Sequence, residues 1–200
     1  MAKETEVGKY VRRQIALLAK DEKVLEQGSS KAHLAQLRRG VGKRPGELPE
    51  LWGLFLKDMP EELMGKGGKP SYAEQAVYTA LTLFALHQQG HSGPMHGDGE
   101  EERLGRAARK LVHNDEDEEH IRMRLGVAAK SEDMAELSHH LKTVVRLLGN
   151  SDIKLDYVDL AEDLYWFQFE AYADRIRLKW GQDFYRDIKT NENGEEENEK

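Results

Sequence analysis

Apolar residues recur along most of the chain at intervals of three and four, and no long run alternates between apolar and polar positions. Intervals of three and four place side chains on one face of an α-helix, whereas strict alternation is typical of a half-buried strand. The pattern therefore predicts an all-α protein with about eight to nine helices. In the first half of the chain, the predicted helices cover residues 6–19, 29–39, 51–56 and 71–89.

Local signals indicate where two of these helices begin. Ser29 and Ser30 are N-cap candidates for the second helix, because a serine hydroxyl can accept a hydrogen bond from a free N–H. Ser71 and Glu74 have the spacing of a capping box. The helix that follows Ser71 is apolar on almost every face, so we expect it to be central and buried.

A glycine-rich connection, residues 90–99, predicts a boundary between two small helical bundles, 1–95 and 96–189. The segment 152–188 is either one long bent helix or two. Residues 190–200 contain no apolar residue, and we expect a disordered acidic tail. The other helices predicted after the connection cover 101–113, 119–129 and, after Ser131 as N-cap, a segment that ends at 149.

The net charge of −7 hides an uneven distribution of charge. The segments 98–102, 114–119 and 190–200 carry −4, −5 and −4, so the rest of the chain carries +6. Acidic runs of this kind are usually solvated loops and tails without a partner. The negative total therefore does not exclude a polyanionic ligand.

Four sets of basic residues lie on the predicted helices or at their ends. Each set alone is typical of a solvated helix face, but four sets on a basic body favour contact with nucleic-acid backbone. No base-reading motif accompanies them, so we expect contacts that are largely independent of sequence. The candidate nucleic-acid-binding residues are Arg38, Arg39, Arg106, Arg109, Lys110, Arg122, Arg124, Lys130, Lys142 and Arg146.

Two other functions stay open at this stage. The stretch 87–120 contains five histidines beside the acidic segment 98–102, which is compatible with an all-α metal-dependent hydrolase. Its histidines do not form an H-E-x-x-H motif, and a polar loop explains them as well. The chain could also be a protein-only adaptor whose basic faces pair with acidic partners. We expect no catalytic residue, metal site or cofactor.

The chain contains no cysteine, which excludes disulfides, thiolate zinc sites and a cysteine nucleophile. No apolar run approaches the roughly 20 residues that span a bilayer. We therefore expect a cytoplasmic protein that does not enter membranes.

The sequence resembles the CasB family, the small subunit of the type I-E CRISPR surveillance complex Cascade. The similarity begins with Ala35-Gln36-Leu37-Arg38-Arg39-Gly40 and Pro49-Glu50-Leu51-Trp52, and it ends with Trp180-Gly181-Gln182-Asp183-Phe184-Tyr185. The segments between them follow in the order 80–88, 104–107, 122–125, 155–157, 160–161 and 163–164.

The resemblance implies an all-helical, non-catalytic subunit of an antiviral RNA-guided complex, with a basic surface that stabilises the R-loop. Its implied partners are other Cascade subunits, a second copy of itself, the target and non-target DNA strands and, indirectly, the guide RNA. By position, the resemblance assigns backbone contacts to Arg38, Arg39, Arg106, Arg122, Arg124, Lys130, Lys142 and Arg146. Residues 115–119 and the tail look peculiar to this chain, and we expect 115–119 to point away from DNA.

Overall fold

A computed structural model describes residues 4–186 and is all-α in that range, as the sequence predicts. Short 3₁₀ turns at Pro49–Leu51, Glu61–Leu63 and Glu100–Glu102 join some of the helices. The helices are α1 (Glu6–Ala19), α2 (Glu22–Leu25), α3 (Gly28–Arg39), α4 (Trp52–Phe55), α5 (Tyr72–His87), α6 (Leu104–Arg109), α7 (Asp115–Ala129), α8 (Met134–Asn150), α9 (Tyr157–Phe167) and α10 (Glu170–Tyr185).

Helix α5 is the central element, as its apolar sequence predicts. It packs against α1, α3, α8 and α9. The predicted capping box is present: the Ser71 hydroxyl accepts from the Glu74 N–H at 2.9 Å, and the Ser71 N–H donates to the Glu74 carboxylate at 2.7 Å. This reciprocal pair satisfies two backbone N–H groups at the start of a buried helix.

The N-caps predicted for two helices are wrong: Ser29 and Ser30 both lie inside α3, and Ser131 does not cap α8. Helix α3 begins at Gly28 after Gln27, and Ser30 is buried inside it. Asp133 caps α8 instead of Ser131, because its carboxylate accepts from the N–H groups of Ala135 and Glu136 at 2.9 and 2.8 Å. A charged carboxylate also interacts favourably with the positive end of the helix dipole, which the hydroxyl of Ser131 cannot do.

The region between the glycine-rich connection and α8 also differs from its prediction. The helix predicted over 101–113 is only the 3₁₀ turn Glu100–Glu102 followed by α6. Helix α7 begins at Asp115, with Asn114 as its N-cap. The acidic run 115–119 therefore forms the first turns of a helix, where the helix dipole favours negative charge, and is not a loop.

Over residues 152–186, the described part of the segment 152–188, the chain forms two helices rather than one bent helix. Five aromatic rings lie at the corner between α9 and α10, where Trp166 is 4.8 Å from Tyr172 and Phe169 is 4.9 Å from Tyr72, measured between ring centroids. Such edge-to-face and tilted pairs stabilise a corner beyond the area that they bury. The fifth ring is that of Tyr165, which packs on both Trp166 and Phe169.

The hydrophobic core is continuous across the glycine-rich connection. Helix α5 packs on α8 and α9, and the Glu162 carboxylate of α9 accepts from the Thr5 N–H at 2.7 Å. The division into bundles at 1–95 and 96–189 stays a prediction. The predicted tail, 190–200, lies outside the described residues. No helix between residues 4 and 186 has the length and apolar character needed to cross a membrane.

Candidate nucleic-acid interface

The acidic segment 98–102 is engaged in ion pairs, contrary to the expectation that it is a solvated run without partners. Each of its four carboxylates lies within 4.0 Å of a different cation. The pairs are Asp98 with Arg12 at 3.0 Å, Glu100 with Arg103 at 3.5 Å, Glu101 with Arg106 at 2.8 Å and Glu102 with Lys110 at 3.9 Å.

The basic residues at α6, which are Arg106, Arg109 and Lys110, are therefore largely neutralised by carboxylates of the same chain. Arg106 is only 7 % exposed, and Arg109 pairs with Glu118 of α7 while its guanidinium lies over the Phe184 ring. Because these cations already pair with carboxylates, a phosphate would have to displace those carboxylates. Arg106, Arg109 and Lys110 are thus the least available of the ten predicted contacts.

The helical hairpin of α7 and α8 presents a different environment. Five predicted contacts lie on it, and none of them has a carboxylate within 4.0 Å among residues 4–186. All are exposed except Lys142, which is half-buried. Only a short link, residues 130–133, separates the two helices, so these cations share one structural unit. The five are Arg122, Arg124, Lys130, Lys142 and Arg146.

A second exposed basic segment lies at the end of α3. Arg38 is half-buried, and Arg39 is exposed and 3.2 Å from Glu50. The turn after them is fixed by Tyr78 of the central helix, whose hydroxyl donates to the Gly40 carbonyl at 3.2 Å. Burial raises the pKa of Tyr78 to about 12, which keeps this hydroxyl protonated as a donor. A Cβ at Gly40 would lie 2.7 Å from the Tyr78 hydroxyl, so the approach requires glycine.

Lys179 belongs to a buried network and not to the basic surface. Its ammonium donates to Asp163 at 2.7 Å and to Asp159 at 2.8 Å, and the Trp180 indole donates to Asp163 at 2.7 Å. Burial raises the pKa of the Asp163 carboxyl, while Lys179 and Trp180 oppose that shift. The network joins α9 to α10.

The histidines of the stretch 87–120 are dispersed over different environments. His87 is buried, both of its ring nitrogens lack a hydrogen-bond partner, and desolvation lowers its pKa to about 4. His91 pairs with Asp152 at 3.0 Å, and His96 accepts from the Tyr157 N–H at 3.3 Å. In the part of the chain that the structure describes, no three His, Asp or Glu side chains are placed to hold one metal ion. The geometry gives no support to the metal-dependent hydrolase.

A groove between α7 and α8 was missed by the sequence reasoning. It has a volume of about 320 Å³ and is lined by His120, Met123, Arg124 and Val127 of α7 and by His140 and Thr143 of α8. Met123 is 52 % exposed and Val127 is 43 % exposed. The signal in the sequence is this apolar pair, four residues apart on the exposed side of α7, away from the buried Ile121 and Leu125.

Comparisons with known proteins agree with the resemblance seen in the sequence. The family model described as CRISPR-associated protein Cse2 matches residues 33–185. The crystal structure of CasB from Thermobifida fusca is 33 % identical, has a TM-score of 0.75, and is matched over 91 % of this chain and 99 % of that one. No curated protein sequence matches the chain significantly.

A second solved structure, CasB from M. ruber, has a TM-score of 0.63 at 22 % identity, over 92 % of this chain and 94 % of that one, and it supports the fold alone. The fold and the family match define a class, the all-α subunits of CRISPR Cascade complexes. The chain belongs to the Cse2 (CasB) family.

Proposed function

We propose that this chain is a non-catalytic subunit of a type I-E CRISPR surveillance complex, and that it binds nucleic-acid backbone and stabilises the R-loop. The observation that carries this proposal is the contrast between two sets of cations. The α6 set is paired with carboxylates, whereas Arg122, Arg124 and Arg146 on the α7–α8 hairpin have no such partner among residues 4–186. Unpaired exposed cations are the groups that phosphates can neutralise at little cost.

The energetics of R-loop formation make such a surface sufficient. The exchange of a DNA duplex for an RNA–DNA heteroduplex is nearly balanced, so contacts to the backbone of the opened strands can shift it. No chemical step is needed for that role. The partners in this proposal are the target and displaced DNA strands, other Cascade subunits and a second copy of the chain, with the guide RNA contacted indirectly. Its cytoplasmic location stays a prediction.

The first test is the salt dependence of DNA binding by the full chain. Each phosphate contact contributes about −0.7 to −0.9 to the slope of log affinity against log salt. The variant in which Arg122, Arg124, Lys142 and Arg146 are all changed to Gln should lose affinity and reduce the magnitude of this slope by about 3. A control with the same change in net charge replaces Lys23, Lys57, Lys69 and Arg175, which are exposed and lie outside the hairpin.

The control variant should retain most of the affinity and the slope. Equal losses in both variants would show that binding depends on net charge alone and would contradict an assignment to the hairpin. An affinity that does not change with salt would contradict backbone binding altogether, and would favour the protein-only adaptor.

A further inference from the structure

The groove between α7 and α8 combines two chemistries that a backbone-binding surface does not need. Its apolar lining consists of the exposed side chains of Met123 and Val127. Its polar lining suits an anion or a base edge and consists of Arg124, His120, His140 and Thr143. Phosphates alone would leave the apolar lining exposed to water.

Arg124 is held at the groove without being neutralised. Its guanidinium donates to the His120 carbonyl at 3.2 Å, and no carboxylate lies within 4.0 Å of it in the described range 4–186. One backbone hydrogen bond leaves most of its N–H donors free. On the α8 side of the groove, the Glu136 carboxylate lies 3.7 Å from the His140 ring nitrogen.

The volume of the groove and its apolar lining fit a planar group of moderate size. Small-molecule sites are mostly apolar, have volumes of roughly 300–1,000 Å³ and use a few polar groups to set orientation. Methionine adapts its shape to a flat ring and makes favourable contacts between sulfur and aromatic groups. A nucleobase joined to its phosphate provides both a flat apolar face and an adjacent anion, which matches Met123 and Val127 beside Arg124.

From these contacts we propose that the α7–α8 groove receives an unpaired nucleobase of a DNA strand. The inference rests on the proposed function and adds a base-holding site to it. Such a site distinguishes single strands from duplexes, because a base within a stacked duplex cannot enter the groove. Recognition of this kind is tolerant of sequence, since every base has an apolar face. The cations Lys142 and Arg146 of the same hairpin would then contact neighbouring phosphates.

The test compares a thymidine oligonucleotide with an abasic oligonucleotide of the same length, titrated into the full chain at low salt. The native chain should bind the thymidine strand about fivefold more tightly than the abasic strand. The double variant Met123→Ser, Val127→Ser keeps every charge, and it should bind both strands with the affinity of the abasic one. Leu178→Ser is the control, because Leu178 is 60 % exposed and does not line the groove.

Three results would overturn the inference. Equal binding of both strands by the native chain removes the base site and leaves the proposed function intact. Absence of binding to either strand rejects the proposed function, and the base site with it. If the double variant fails to co-purify with other Cascade subunits but keeps its preference for the thymidine strand, the groove is occupied by a protein partner instead.

Discussion

The guanidinium of Arg106 lies 2.8 Å from the Glu101 carboxylate and is buried against the protein, while Glu101 remains half-exposed. A residue that looks like a phosphate ligand in the sequence is thus the partner of an acidic residue five positions earlier. The pair shows how the acidic segment 98–102 and the basic set of α6 cancel each other locally. It also explains why the net charge of isolated segments does not locate a binding surface.

The burial of Arg106 predicts a structural cost for its removal. Arg106→Ala should lower the free energy of unfolding by about 2 kcal/mol, because it removes both the ion pair and the packing of a buried aliphatic stem. Arg146→Ala should change it by less than about 0.5 kcal/mol, because Arg146 is exposed. Urea denaturation of both variants measures this difference. Equal midpoints for the two variants would show that Arg106 is not a structural residue.

The buried His87 predicts that the protein loses stability in acid. Desolvation lowers its pKa in the folded state to about 4 from 6.5, so it contributes stability fully above pH 6.5. That contribution, up to about 3 kcal/mol, is lost as the pH falls from 6.5 towards 4. Thermal or urea unfolding between pH 7 and pH 4.5 should therefore show a smaller loss of stability for His87→Leu than for the native chain.

The exposed His139 provides the control for this measurement. His139→Leu should lose stability in acid as the native chain does. His96, whose pKa burial also lowers, acts in the same direction and leaves part of the dependence in place. An undiminished loss in His87→Leu would contradict the assignment to His87.

Two helical glycines predict opposite effects of the same substitution. A Cβ at Gly105 of α6 would lie 2.3 Å from the Trp180 carbonyl and 2.9 Å from the Phe184 N–H of α10. Gly105→Ala should therefore lower the free energy of unfolding by about 2 kcal/mol or more, because backbone must move. Gly126→Ala in α7 meets no atom within 4 Å and should raise it by up to about 1 kcal/mol. If Gly105→Ala were as stable in urea as the native chain, α6 and α10 would not be in close contact.

The sequence predicts the helices well because hydrophobic periodicity and capping signals are local. Ser71 and Glu74 stand three residues apart and bond to each other within the first turn of α5. Ser131 fails as a predicted cap because Asp133, two residues later, offers a charged carboxylate to the same helix start. Such competition depends on geometry within one turn, which the spacing of apolar residues does not specify.

The candidate site is harder to predict because it depends on ion pairs between residues that only the fold brings together. Arg12 and Asp98 are 86 positions apart in the chain, and Arg109 reaches Glu118 only because α6 and α7 pack together. From the sequence alone, the ten candidate nucleic-acid-binding cations cannot be told apart. The ion pairs separate the neutralised members from Arg122, Arg124 and the other cations of the hairpin. The groove at Met123 is likewise not predicted, because the sequence shows only the apolar pair on α7 and α8 supplies the second wall.

The most direct test of the account is R-loop formation by the assembled surveillance complex on a matching DNA target. The Gln variant of Arg122, Arg124, Lys142 and Arg146 should assemble at full occupancy and form R-loops with a yield several-fold lower than the native complex. This deficit should be largest at low salt and narrow as salt rises, because the native chain loses more phosphate contacts to salt than the variant does. The charge-matched control variant should form them at the native yield. An unchanged yield with the hairpin neutralised, at equal occupancy, would contradict the central claim that these cations stabilise the opened DNA strands.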